Sequence, residues 1–309
     1  MPSLRTLLAC LLWAVTAASA AAATASAEIP EPLRGGWRDR SGSVSVNVEK
    51  DRILFLQGQE LTVRGLIRQE PGRLVLRWQG AKEVWSARVE SGRLHLGTRG
   101  IERIYERLGA IPPEARLDPL PLGPAGALPP ERVRRIRQEI GERYARDQDV
   151  RTNPLQAFNR WNVDKENEVW LVDLIARVGW IDAARFGAEA AGQALAMVNH
   201  FDNLRLSLTA LPLARKDAVR GGQAFAVLYD ALQLKLGRRQ RYGTQMATDA
   251  RGGTYVLPLE DPAQVDRYLR EIGAPPLTRT LTEFRNAAAP GKALPRIARE
   301  EEEDPGSSP

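Results

Sequence analysis

Cysteine is almost absent: the one thiol in 309 residues is Cys10. The chain therefore has no internal disulfide framework and no C-x-x-C pair for redox work or zinc. Histidine is nearly as scarce, with His95 and His200 alone. There is no H-E-x-x-H, no G-x-S-x-G elbow, no phosphate loop and no dinucleotide fingerprint, so the common catalytic signatures are missing. Lysine occurs at only six positions, and arginine supplies the rest of the 44 basic residues, spread along the chain among 38 acids. With a net charge of +6 this is no nucleic-acid-binding patch, and no nucleic-acid partner is expected. A mildly basic surface suits anionic envelope polymers or lipid headgroups better.

What is present is enough apolar material, 43%, for two modest domains with flexible ends. Residues 1–27 read as a signal peptide: Arg5 is the positive start, residues 7–15 are apolar, and Ala25-Ser26-Ala27 is a small-x-small cleavage site. The expected location is periplasmic or secreted. In the alternative, Leu7-Leu8-Ala9-Cys10 is a lipoprotein box that anchors the protein through Cys10. No later stretch approaches about 20 apolar residues, so no transmembrane span is expected after signal cleavage.

Residues 28–108 have period two, with turns about every ten residues. Val44, Val46 and Val48 alternate with Ser45 and Asn47, and Glu70-Pro71-Gly72 and Ser91-Gly92 are turns. This predicts an antiparallel meander of seven or eight short strands closing on itself as a small β-barrel. Gly35-Gly36-Trp37 at its start and Tyr105-Glu106-Arg107 at its end resemble the lipocalin-like G-x-W and aromatic-x-Arg pattern. That resemblance implies a barrel plugged by Trp37 with Arg107 stacked on the ring. Strands this short predict an interior filled by side chains rather than open to a ligand. His95 falls out of phase with Leu94 and Leu96, on the outer face and without a visible partner.

Residues 109–130 carry seven prolines and form a linker. The stretch 131–285 reads as a mostly α-helical domain with a short β-hairpin, and 286–309 as a disordered acidic tail. Val133, Ile136, Ile140 and Tyr144 set the inward stripe of the first helix. Asp182 is an N-cap for an alanine-rich helix from Ala183 to His200. A nearly apolar helix follows Gly221-Gly222, with Asp230 in its middle, where a buried carboxylate needs partners or a raised pKa. Gly237 ends that helix and opens the polar run 237–245. The overall fold class is thus multidomain α and β: a barrel, then helices with a hairpin.

Several of these residues carry a family resemblance. Asp147-Gln148 with Arg151, Gly179-Trp180, His200-Phe201-Asp202, Asp230, Gln240-Arg241-Tyr242-Gly243-Thr244-Gln245 and Pro258-Leu259-Glu260-Asp261 occur in the order seen in the bacterial domain-of-unknown-function family 6624. The Q-x-Y-G-T-Q element is the most specific part. Ala231 stands where arginine is common in that pattern, so no ready-made ion pair is implied for Asp230. The family brings no activity with it.

The candidate catalytic residues are His200 as acid or base and Asp202, with Asp147 or Asp230 as further orienting carboxylates. Candidate ligand-binding residues are Asp147, Gln148, Arg151, Asp230, Gln240, Arg241, Tyr242, Thr244 and Gln245. His200 and Asp202 alone are too few for a metal, and no metal or other cofactor is expected. The alternative is that these polar groups satisfy one another within a packed bundle. The leading functional expectation is an exported protein that binds a small polar ligand or a cell-envelope component. A hydrolase-like enzyme using His200 with a carboxylate is the second.

Overall fold

The computed structural model describes residues 28–217, 222–248, 253–288 and 295–298. The signal-peptide and lipoprotein-box expectations, and most of the acidic tail, lie outside the described residues.

Eight antiparallel strands form the first half: β1 (Gly35–Asp39), β2 (Val44–Val48), β3 (Arg52–Gln57), β4 (Glu60–Glu70), β5 (Arg73–Trp78), β6 (Ala81–Glu90), β7 (Arg93–Thr98) and β8 (Ile101–Arg107). They pair in sequence order, and β8 returns to β1, so the sheet is a closed barrel. Closure leaves no edge strand exposed. Trp37 pairs with Arg107 across the closing seam. The Arg107 guanidinium lies 4.5 Å from the Trp37 ring centre and donates to the Arg34 carbonyl at 2.6 Å. The indole Nε1 donates to the Leu33 carbonyl at 2.9 Å. The plug expected from the two ends of the segment is thus in place.

The interior departs from expectation. At the Trp37 end, Val46, Ile53, Leu74, Leu76 and Leu94 fill the barrel. The opposite end is a cup of about 350 Å³. Its inward positions include Thr62, Arg64, Glu83 and Arg103, which cannot close an apolar core. His95 also differs from expectation: it pairs with Arg88 across the β6–β7 ladder, and its Nδ1 lies 3.2 Å from Glu102 and from Arg88. Strand register supplied partners that the period of one strand does not reveal.

The second half begins with α1 (Pro130–Thr152), whose proline occupies the first turn, where no backbone N–H is needed. Then come α2 (Arg160–Val178), α3 (Ala183–His200), α4 (Leu204–Asp217) and α5 (Gly222–Lys235). The Arg185 N–H donates to Asp182 at 2.9 Å, so the cap of α3 is where the sequence puts it. Helix α4 runs through Pro212, although a proline inside a helix removes one backbone donor. The short strands β9 (Met246–Thr248) and β10 (Thr254–Val256) form the hairpin, and α6 (Val265–Glu271) and α7 (Leu277–Ala288) follow. Within the stretch read as a tail, β11 (Arg296–Ile297) adds a parallel strand to β10. Among the described residues no helix is long and apolar enough to cross a membrane.

The halves meet over an apolar seam. Leu54, Leu61 and Val63 of the barrel pack with Leu204, Leu232 and Leu236 of the helices, each buried side chain worth about 1.5–3 kcal/mol against exposure. Two glycines make the approach possible. A Cβ on Gly65 would lie 2.5 Å from the Gly237 carbonyl, and one on Gly237 would lie 2.2 Å from the Gly65 nitrogen. The proline-rich linker is tied to both halves: Asn47 donates to the Ala115 carbonyl at 3.2 Å, and the Leu120 N–H donates to Thr209 Oγ1 at 2.7 Å.

Candidate functional site

Among the described residues two carboxylates of the helical domain are fully buried, Asp147 and Asp230, and each organises a different constellation.

Asp230 projects from α5 into the loop that follows Gly237. Its carboxylate accepts from the backbone N–H groups of Arg241 at 2.8 Å, Tyr242 at 3.0 Å and Thr244 at 2.9 Å, and from Thr244 Oγ1 at 2.9 Å. Burial pushes its pKa up, and those donors draw it part of the way back. Gln240 is also fully buried. Its Nε2 donates to the carbonyls of Gln245 at 2.9 Å and Leu257 at 2.7 Å, and its Oε1 accepts from the Gln245 N–H at 2.9 Å. Tyr242 is buried edge-on to Phe225 and Tyr229. Arg241 forks onto Glu260 at 2.8 and 3.2 Å and lies 5.2 Å from the ring centres of Tyr229 and Tyr268. The Gln245 amide donates to Thr244 Oγ1 at 3.2 Å. The Q-x-Y-G-T-Q element is thereby stitched to the helix before it and the hairpin after it.

Asp147 projects from α1. Its Oδ1 lies 3.0 Å from His200 Nδ1 at the end of α3 and 2.9 Å from Arg151 Nη1, and Oδ2 accepts from Gln148 at 2.7 Å. Arg151 reaches on to Asp164 of α2 at 2.6 Å. Burial raises the pKa of Asp164, opposed by the Arg151 guanidinium. His200 is 28% exposed and lines a cleft of about 480 Å³ between the helices and the barrel. With Nδ1 turned to Asp147, Nε2 is the ring nitrogen left for the cleft. A buried carboxylate holding Nδ1 fixes the tautomer of the ring and steadies the imidazolium if it forms.

Of the sequence candidates, the structure brings together Asp147, Gln148, Arg151 and His200. It gathers Asp230, Gln240, Arg241, Tyr242, Thr244 and Gln245 in the other constellation, none of which lines the cleft. Asp202 reaches the cleft rim, 80% exposed and 3.3 Å from Lys235. It does not cap α4: that role falls to Asn203, whose Oδ1 accepts from the Leu206 N–H at 2.9 Å. Lys235 also donates to the Phe201 carbonyl at 2.5 Å, pinning the chain just after His200.

Sequence reasoning missed the α2 wall of the cleft: Trp161, Asp164, Lys165 and Glu168. The signal was there, because these positions recur at helical spacing in a stripe beside the buried Val163, Asn167, Leu171 and Leu174. It also missed the barrel turn of Gln57, Gln59 and Glu60, which forms the facing wall. Among the described residues no group of three metal-ligating side chains converges.

Fold and site define a two-part protein, a closed eight-stranded barrel docked on a helical domain that carries a histidine–carboxylate cleft. The model of a family of unknown function, DUF6624, matches residues 131–289, and the chain belongs to that family. No curated protein and no solved structure matches it.

Proposed function

We propose that the cleft between barrel and helices binds a small polar molecule and that His200, oriented by Asp147, acts on it as a general base and acid. One observation carries this reading: an imidazole held at 3.0 Å by a fully buried carboxylate on the wall of a 480 Å³ cleft. That volume is in the range of small-molecule sites. Among the described residues the lining has no serine, threonine or cysteine, and in this reading the nucleophile is water or a hydroxyl of the bound molecule. His200 Nε2 takes the proton as the nucleophile attacks and returns it to the leaving group. The Asp147 carboxylate holds the cation between these steps. Amides and charges at the walls, Gln57, Gln59, Asn203, Lys165 and Arg205, suit a hydrogen-bonding ligand, and Trp161, 74% exposed, offers an apolar face at the mouth.

The test is a panel of chromogenic esters, phosphodiesters and glycosides given to wild type, His200→Ala and Asp147→Asn, with circular dichroism confirming the fold of each. Turnover of one class that falls about 100-fold or more in both variants is expected for loss of a general base. Wild type indistinguishable from His200→Ala across the panel would remove the catalytic reading. In that case a ligand that raises the melting temperature of wild type but not of His200→Ala would leave the cleft as a binding site alone.

We also read the chain as exported, on the apolar run at 7–15 and the Ala25-Ser26-Ala27 site. An envelope component is then the ligand source within reach. Recovery of the full-length protein, still carrying residues 1–27, from the soluble cytoplasm would overturn this.

A further inference from the structure

The cup at the open end of the barrel is walled on one side by aromatic rings and floored by a charge with an unmet hydrogen bond. Phe55 and Trp85 lie 5.4 Å apart, ring centre to ring centre, on inward positions of β3 and β6, which β4 and β5 separate in the sheet. Arg64, from β4, is pressed between Trp78 at 4.2 Å and Phe55 at 5.5 Å. Its Nε donates to Glu83 at 3.3 Å, and Glu83 also accepts from the Trp85 indole at 3.0 Å. Arg64 Nη1, in contrast, is buried and has no hydrogen-bond partner among the described residues. A guanidinium N–H left without an acceptor inside a protein carries an uncompensated desolvation cost, larger because the group is charged. Arg99 and Arg103 stand at the lip, beside the 65% exposed Ile101. Three arginines against Glu60 and Glu83 give the cup a net positive lining.

We propose that this cup is a binding site for a small aromatic carboxylate, its ring lying against Phe55 and Trp85 and its carboxylate accepting from the arginines. The anion brings acceptors to the arginine side of the cup, where the guanidinium of Arg64 has a hydrogen-bond partner for Nε in Glu83 and none for Nη1 among the described residues, and charge-assisted hydrogen bonds to guanidinium groups are the strong ones. A flat ring matches the tilted Phe55–Trp85 wall, and 350 Å³ holds a bicyclic acid. The site is separate from the His200 cleft, although Gln57 and Glu60 of the β3–β4 turn line both.

The probe is 2-naphthoate, titrated into the full chain while the indole N–H resonance of Trp85, assigned with Trp85→Phe, is followed by heteronuclear NMR. Saturable movement of that resonance is expected, with the neutral 2-naphthylmethanol binding about tenfold or more weakly because it brings no charge. Arg64→Met should remove that preference. Should Arg64→Met not fold, Arg103→Glu at the exposed lip serves, and it should weaken naphthoate about tenfold while leaving the alcohol within about twofold. A Trp85 resonance that stays still up to millimolar naphthoate overturns the proposal. So does equal affinity for acid and alcohol, or a preference for the acid that survives Arg103→Glu in a folded protein.

Discussion

Asp147 and Asp230 are both fully buried, both lie on helices of one domain, and both are saturated with donors, yet they present opposite situations. Around Asp230 three of the four donors are backbone N–H groups of a single loop, and nothing in that set opens on the cleft. Around Asp147 the donors are three side chains, from His200, Arg151 and Gln148, and one of them faces a cavity. A buried carboxylate is therefore no mark of a site by itself. What separates a fastening from a working group is whether one of its partners has a second polar atom directed at space a ligand can enter.

The sharpest way to break this contrast is to remove each carboxylate's main relationship in turn. Asp230→Ala strands three backbone N–H groups and a hydroxyl in a packed interior. The expected loss is about 3–5 kcal/mol in urea unfolding, several unsatisfied donors at about 1–3 kcal/mol each being partly relieved by water. A loss below about 1 kcal/mol would mean that the loop finds other partners, and that the Asp230 network fastens nothing.

The pH dependence separates the two further. Burial raises the folded-state pKa of Asp230, so the folded protein holds that proton more tightly than the unfolded chain does. The stability linked to this group is fully present below the ordinary carboxylate range and is lost as pH rises through its raised value. Comparing wild type with Asp230→Asn should therefore show the wild-type advantage shrinking as pH climbs from acid toward neutral. An advantage that instead grows over that interval would mean that the loop donors outweigh burial and hold the pKa down.

His200→Ala comes next in size. The ring contributes a hydrogen bond to a charged group, worth about 1.5–3 kcal/mol when enclosed. Here Arg151 and Gln148 remain on Asp147, and the cleft admits water to the vacated side. About 1 kcal/mol is the expected cost, read from the same unfolding curves, while turnover or ligand response disappears. A loss as large as that of Asp230→Ala would make His200 another fastening.

Much of the fold could be read from residue order, because its determinants are local. Trp37 and Arg107 mark the two ends of the barrel, Asp182 starts α3 and Gly237 ends the segment that carries Asp230. The missing parts depend on distant pieces of chain. The acidic partner of His200 is 53 residues away in sequence, and three carboxylates were open to it until the packing of α1 on α3 selected Asp147. The facing wall of the cleft comes from the β3–β4 turn of the other half, which no helical periodicity could announce. Strand β11 takes its place by pairing with β10, and two residues have no pattern of their own. The polar run at 237–245 illustrates the limit from the other side: its composition advertises hydrogen bonding, and only coordinates tell whether the bonds point inward or to solvent.

Arg241 gives the smallest effect and the finest discrimination. It was a candidate ligand donor in sequence, and in the structure its fork is taken by Glu260 at 2.8 and 3.2 Å, with Tyr229 and Tyr268 beside it. Glu260 is 47% exposed, so solvent screens the pair, and with the ring contacts Arg241→Ala should cost only about 0.5–1 kcal/mol. Its backbone N–H, which Asp230 holds, survives the substitution. The loop should therefore stay in place and any ligand that responds to His200 should bind Arg241→Ala unchanged within about twofold, as expected for a screened surface pair outside the cleft. If that ligand instead loses affinity tenfold in Arg241→Ala, with the unfolding curve hardly moved, the fork releases Glu260 to meet it. The loop at 237–245 would then belong to the working surface alongside the cleft.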